Sequence, residues 1–171
     1  MELPQTRISK FVDPLLTRIA SGVSFIWVAL MAVIVINVTA RYLFAQGRIE
    51  FEELQWHLYS MGFMLTLGYA LIANAHIRVD VFHERFAPRM RMWIDFYGII
   101  LLVVPFCLVM LWFSWDFFLY SFKIGEISAS PGGLPFRWFI KAFLVVGFGL
   151  LLLASLSRLS RLWVGLLERG T

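Results

Sequence analysis

Arg41, Glu52, Glu53, His57, His76, Arg78, Asp80, Asp116 and Lys141 are the side chains of this sequence placed to do chemistry, and all stand near the ends of long apolar runs. A proton-coupled exporter needs a carboxylate well inside a span, and the runs themselves contain no Asp, Glu, Lys or Arg. A haem anchor needs two histidines at matching depth on facing helices. His57 lies towards one end of the second run, while His76 and His83 follow its other end. Adjacent Glu52 and Glu53 have three readings: cation ligands or proton carriers, a solvated helix start, or a charged pairing with Arg41 or with a partner subunit. Arg41 either snorkels or pairs with a carboxylate. His76, Arg78 and Asp80 are either ordinary residues of a basic loop or a docking surface. No metal-ligand spacing, phosphate loop or nucleophile motif is present. The single Cys107 reads as a small buried hydrophobe.

The elements that must position these groups are four apolar runs: Ile19–Ala40, Leu54–Ala75, Phe96–Trp115 and Ala142–Ser157. At about 1.5 Å per residue, a helix of about 20 residues spans the ~30 Å hydrocarbon layer. The fourth run reaches that length if Trp138, Phe139 and Ile140 are added and Lys141 snorkels outward. Only 15% of residues are charged, against about a quarter in soluble domains, so little chain remains for a separate soluble unit. The 17 Phe and 7 Trp suit interfacial belts. A net charge of +4 is no nucleic-acid signal, because the basic residues flank spans instead of forming one patch. No cleavable signal peptide is evident, and the first run reads as a signal anchor.

Ten basic residues fall on one side: Arg7, Lys10 and Arg18; Arg78, Arg85, Arg89 and Arg91; Arg158, Arg161 and Arg169. Five fall on the other: Arg41, Arg48, Lys123, Arg137 and Lys141. Basic residues near spans stay in the cytoplasm. The expectation is an all-α polytopic membrane protein, one membrane domain over residues 1–171. It has four transmembrane helices (approximately 19–43, 52–75, 93–120 and 136–162), both termini cytoplasmic and short interfacial helices.

Local signals refine this outline. Ile8, Phe11, Val12, Leu15 and Leu16 recur at helical spacing, with Pro14 expected to separate a short interfacial helix from the first span. Asn37 and Arg41 lie one turn apart, and Asn37 is expected to face another helix. Gly62, Thr66, Ala70 and Asn74 form a small-residue stripe that would let a helix approach closely, unless the spacing is chance in a Gly/Ala-rich span. Asp80 is placed to cap a short surface helix. Pro105 should kink the third span. Gly125, Pro131, Gly132 and Gly133 mark a turn-rich connection, and the last helix is expected from Pro135 to about Leu167.

Several of these segments together resemble the small permease subunit, Q-type or DctQ-like, of tripartite ATP-independent periplasmic (TRAP) transporters. They are Asn37-Val38-Thr39-Ala40-Arg41-Tyr42-Leu43-Phe44, Glu52-Glu53-Leu54, Ala75-His76-Ile77-Arg78-Val79-Asp80, and Pro131-Gly132-Gly133-Leu134-Pro135 with Arg137-Trp138, Lys141 and Gly147-Phe148. The resemblance covers most of the chain. It implies a scaffold subunit in the bacterial or archaeal inner membrane that binds a large M-type permease. That permease moves organic acids by a sodium-driven elevator motion, and a periplasmic substrate-binding protein delivers the acid. No enzyme activity and no cofactor are expected. Asn37, Arg41, Glu52, Glu53, Gly62, Thr66, Ala70, Asn74, His76, Arg78 and Asp80 become candidate interface or structural positions.

Two other readings stay open. A stand-alone transporter or channel would line a path with Ser24, Asn37, Thr66 and Asn74. A membrane anchor of a redox complex would carry haem. Under the scaffold reading, Arg41→Ala should weaken assembly more than Arg161→Ala, because Arg161 is expected in a solvated tail.

Overall fold

The computed structural model describes residues 3–45, 47–75 and 86–168. Among them there are four helices and no strand: α1 (Arg7–Phe44), α2 (Ile49–Ile72), α3 (Pro88–Lys123) and α4 (Arg137–Glu168). Helices α1, α3 and α4 are each long and apolar enough to cross a membrane. Helix α2 falls short of that apolarity, because its 24 residues open on Glu50, Glu52, Glu53, Gln55 and His57. Helices α2 and α4 pack centrally; α1 flanks both, and α3 lies against α4.

Pro14 does not break the chain. Helix α1 runs through it for 38 residues. An internal proline costs about 3 kcal/mol in an isolated helix. Here Val12 and Leu16 on either side are buried in the core, and the neighbouring Asp13 is held by α4. Tertiary packing therefore overrides the local signal. The expected separate interfacial helix is the first part of α1. Its start is a capping box: Ser9 N–H donates to Thr6 Oγ1 at 3.2 Å and Thr6 N–H donates to Ser9 Oγ at 2.9 Å.

Pro105 shows its effect as a change of helical winding. The five residues Ile99–Val103 form a π segment, and Val104 N–H reaches back to the Ile99 carbonyl. An α-helical Pro105 would press its ring on the Leu101 carbonyl, and the wider turn just ahead relieves that contact.

Helices α2 and α4 meet almost backbone to backbone. A Cβ on Gly68 would lie 2.7 Å from the Leu150 carbonyl oxygen, and one on Gly147 would lie 2.9 Å from that of Met64. Helix α1 uses a third glycine: a Cβ on Gly62 would lie 2.9 Å from the Trp27 ring. The main core joins Val12 and Leu16 of α1, Leu71 of α2, Cys107 of α3 and Phe148, Leu151 and Ala154 of α4.

Helix α2 ends in a Schellman motif. Ala75 N–H donates to the Ala70 carbonyl at 2.9 Å, and Asn74 N–H to that of Leu71 at 3.3 Å. Asn74 has φ 57°, a left-handed conformation that asparagine tolerates and β-branched residues do not. Asn74→Val is expected to lower stability by about 1–2 kcal/mol, read by melting in detergent.

Candidate functional site

Polar side chains gather at the two ends of the bundle. At the loop end, the C-terminus of α1 meets the N-terminus of α2 and the 124–136 connection. Arg41 forms an ion pair with Glu52, both half exposed. Glu53 turns the other way. Its Oε1 accepts the Ser128 hydroxyl and its Oε2 accepts Leu134 N–H at 2.6 Å, so one carboxylate fastens the start of α2 to the connection before α4. Gly133 is pressed against this clasp: a Cβ there would come within 2.9 Å of Glu53 Oε1. His57 Nδ1 donates to the Glu53 carbonyl at 2.6 Å, a bond within its own helix.

Lys141, one turn into α4, reaches up to Glu126 and lies 3.8 Å from the centre of the Phe117 ring. The connection begins at Gly125 (φ 59°), and Glu126 N–H closes back on the Ser121 carbonyl at 3.0 Å. The Lys141 ammonium holds the Glu126 carboxyl below its ordinary value of 4.5. A carboxyl with a depressed folded-state pKa contributes stability above its unfolded pKa and loses it as pH falls through the folded one. The melting difference between wild type and Glu126→Gln should therefore hold near neutral pH and shrink as pH falls below about 4.5.

Between α1 and α2 at this end lies a groove of about 570 Å³ with Asn37, Arg41, Glu52, Gln55 and Trp56 in its walls. Asn37 is 5% exposed and faces α2 across the groove, as a costly polar residue in a span should.

The opposite end is tied by ion pairs among helices far apart in sequence. Arg158, 6% exposed, donates to Asp95 of α3 at 3.0 Å and to the Leu71 carbonyl at the C-terminus of α2 at 3.3 Å. A cation there complements the helix dipole. Arg161 donates to Asp13 at 3.1 Å and to the Leu3 carbonyl at 3.2 Å. Ser157 also donates to Asp13, at 2.6 Å. Arg161 is thus no solvated tail residue, because α4 continues to Glu168 and carries it into contact with α1. The ranking of Arg41→Ala over Arg161→Ala loses its premise.

The stripe on α2 divides in the structure. Gly62 packs on Trp27, Thr66 donates its hydroxyl to the Gly62 carbonyl at 2.8 Å, Ala70 is half-buried, and Asn74 lies past the helix end. The closest approach to α4 falls instead at Gly68, off that spacing. His76, Arg78 and Asp80, with the surface helix expected there, lie outside the described residues. Asp95 and Arg158 were not singled out as a pair. The signal was opposite charge on the flanks of two runs, at the same end of the bundle. Among the described residues no group of His, Cys, Asp and Glu is arranged to hold a metal ion.

Residues 30–165 match the family described as tripartite ATP-independent periplasmic transporters, DctQ component. The chain belongs to the DctQ family. The match takes in the whole loop end and the Asp95–Arg158 pair, while Asp13 falls before it. A comparison with curated proteins found no match. As a DctQ component this is a membrane protein and a small permease part of a TRAP transporter. The clasp at Glu53 and the ion pairs at Arg41, Lys141 and Arg158 are thus features of a transporter component.

Proposed function

We propose that this DctQ chain is the scaffold subunit of a TRAP system for uptake of organic acids, set in the inner membrane beside a large permease that moves the substrate. In this reading α2 is a fourth span. It is 24 residues long, about 36 Å, and it packs between α1 and α4, which are apolar enough to cross. The positive-inside bias puts both termini in the cytoplasm and the loop end towards the periplasm, where a substrate-binding protein docks. The large subunit carries the sodium coupling.

The observation that carries the reading is the way charge is used. Arg41, Glu52, Asp95 and Arg158 join helices to one another, and Glu53 and Lys141 fasten helices to the 124–136 connection, all at the ends of the bundle, while the interior closes on glycine-to-backbone contacts. Such a bundle is built to hold its shape.

Uptake of a radiolabelled dicarboxylate should vanish when this chain is deleted from cells expressing the large permease and the binding protein, and return on re-expression. Undiminished uptake after deletion would overturn the scaffold role. Flux through liposomes containing this chain alone would favour a transporter in its own right.

A further inference from the structure

The groove between α1 and α2 holds two polar atoms that the chain leaves unmet. Asn37 Oδ1 and Gln55 Nε2 are both buried and neither has a hydrogen-bond partner. They lie on facing helices and line the same groove, one an acceptor and the other a donor. Buried polar groups in proteins are nearly always paired, and since neither atom has surface open to the groove, a partner's side chain would meet them by turning the two amide ends outward. Above them the Arg41–Glu52 ion pair forms the rim, and Trp56 and Tyr59 stand exposed beside it. Exposed aromatics around a buried polar centre are the composition of a binding hot spot.

The geometry points to this groove as the seat of a transmembrane helix of the large permease, one that presents an amide or hydroxyl side chain to Asn37 and Gln55. This rests on the scaffold reading and names the face that does the holding. A side chain of that kind donates and accepts at once, as both orphans require. A phospholipid fits less well. Asn37 lies seven residues, about 10 Å, below the last residue of α1, at the depth of ester groups and acyl chains. Esters accept hydrogen bonds but do not donate them, so Asn37 Oδ1 would stay unmet.

The test is co-purification of the large permease on affinity-tagged wild type, Asn37→Leu/Gln55→Leu, Asn37→Ser, and Trp112→Ala on the exposed face of α3. Each chain is also melted alone in detergent. The double leucine variant should recover at least tenfold less large subunit, while melting alone at or above the wild-type temperature, since it removes unpaired polar atoms from a buried place. Asn37→Ser, which keeps a donor and an acceptor, should hold much of the partner, and Trp112→Ala all of it. Wild-type recovery by the double variant would overturn the proposal, as would loss of bound phospholipid with the large subunit retained. A lower melting temperature of the double variant alone would place the amide pairing inside this chain, also against it. If wild type itself recovers no large subunit, the scaffold reading falls and takes this inference with it.

Discussion

Arg158→Ala is expected to cost about 3–5 kcal/mol of stability, the largest single-residue effect in the chain. Arg158 is 6% exposed, and its guanidinium bridges Asp95 on α3 and the Leu71 carbonyl on α2. Removing it leaves a carboxylate and a helix-terminal carbonyl at a helix junction without that partner. Each then loses a charge-assisted hydrogen bond in a place largely closed to water. Asp95→Leu/Arg158→Met should recover most of the loss, because replacing both halves of a buried pair by apolar groups of similar volume is often neutral. Melting in detergent reads both variants. A single alanine variant that melts like wild type would show that the three-helix junction is held by packing alone.

Gly68→Ala is expected to cost about 2–3 kcal/mol, and Gly147→Ala a similar amount. In each case the added Cβ meets a backbone carbonyl of the facing helix, at 2.7 Å from Leu150 and 2.9 Å from Met64. No rotamer change removes a backbone atom, so the two central helices must move apart and the contacts on either side of the crossing loosen. Gly149→Ala is the internal control. Nothing lies within 4 Å of its Cβ position, and alanine's better helix propensity should raise stability by up to about 1 kcal/mol. Equal melting temperatures for the three alanine variants would refute the close approach of α2 and α4.

The long helices were legible because lipid-length apolar runs leave few alternatives. The last was expected from Pro135 to about Leu167 and is found at Arg137–Glu168. The pairing of Arg41 with a carboxylate was also readable, since a short connection separates α1 from α2 and brings Glu52 back beside it. What escaped was set by partners distant in sequence. Pro14 reads locally as a break, and the contacts that keep the helix whole come from Ser157 and Arg161. Glu53 reads as a helix-start acid, yet its ligands are Ser128 and Leu134. The stripe at 62, 66, 70 and 74 found one packed glycine, while the crossing with α4 uses Gly68 against Leu150 and Gly147 against Met64. Arg158 and Arg161 read as charges beyond the apolar run, which stops at Ser157, and the groups that bury them, Asp95, Asp13 and the Leu3 carbonyl, come from distant parts of the chain.

The clasp at Glu53 has a consequence for how the chain is made. Residues 53 and 134 are 81 positions apart, and the Asp13–Arg161 pair spans 148. A ribosome delivers Glu53 long before Leu134, and Asp13 long before Arg161. The first two helices are therefore made with Glu53 and Asp13 still unclaimed, and only the connection before the last helix and that helix itself secure them. Chains truncated anywhere before the final helix should reach the membrane but remain prey to its quality-control proteases.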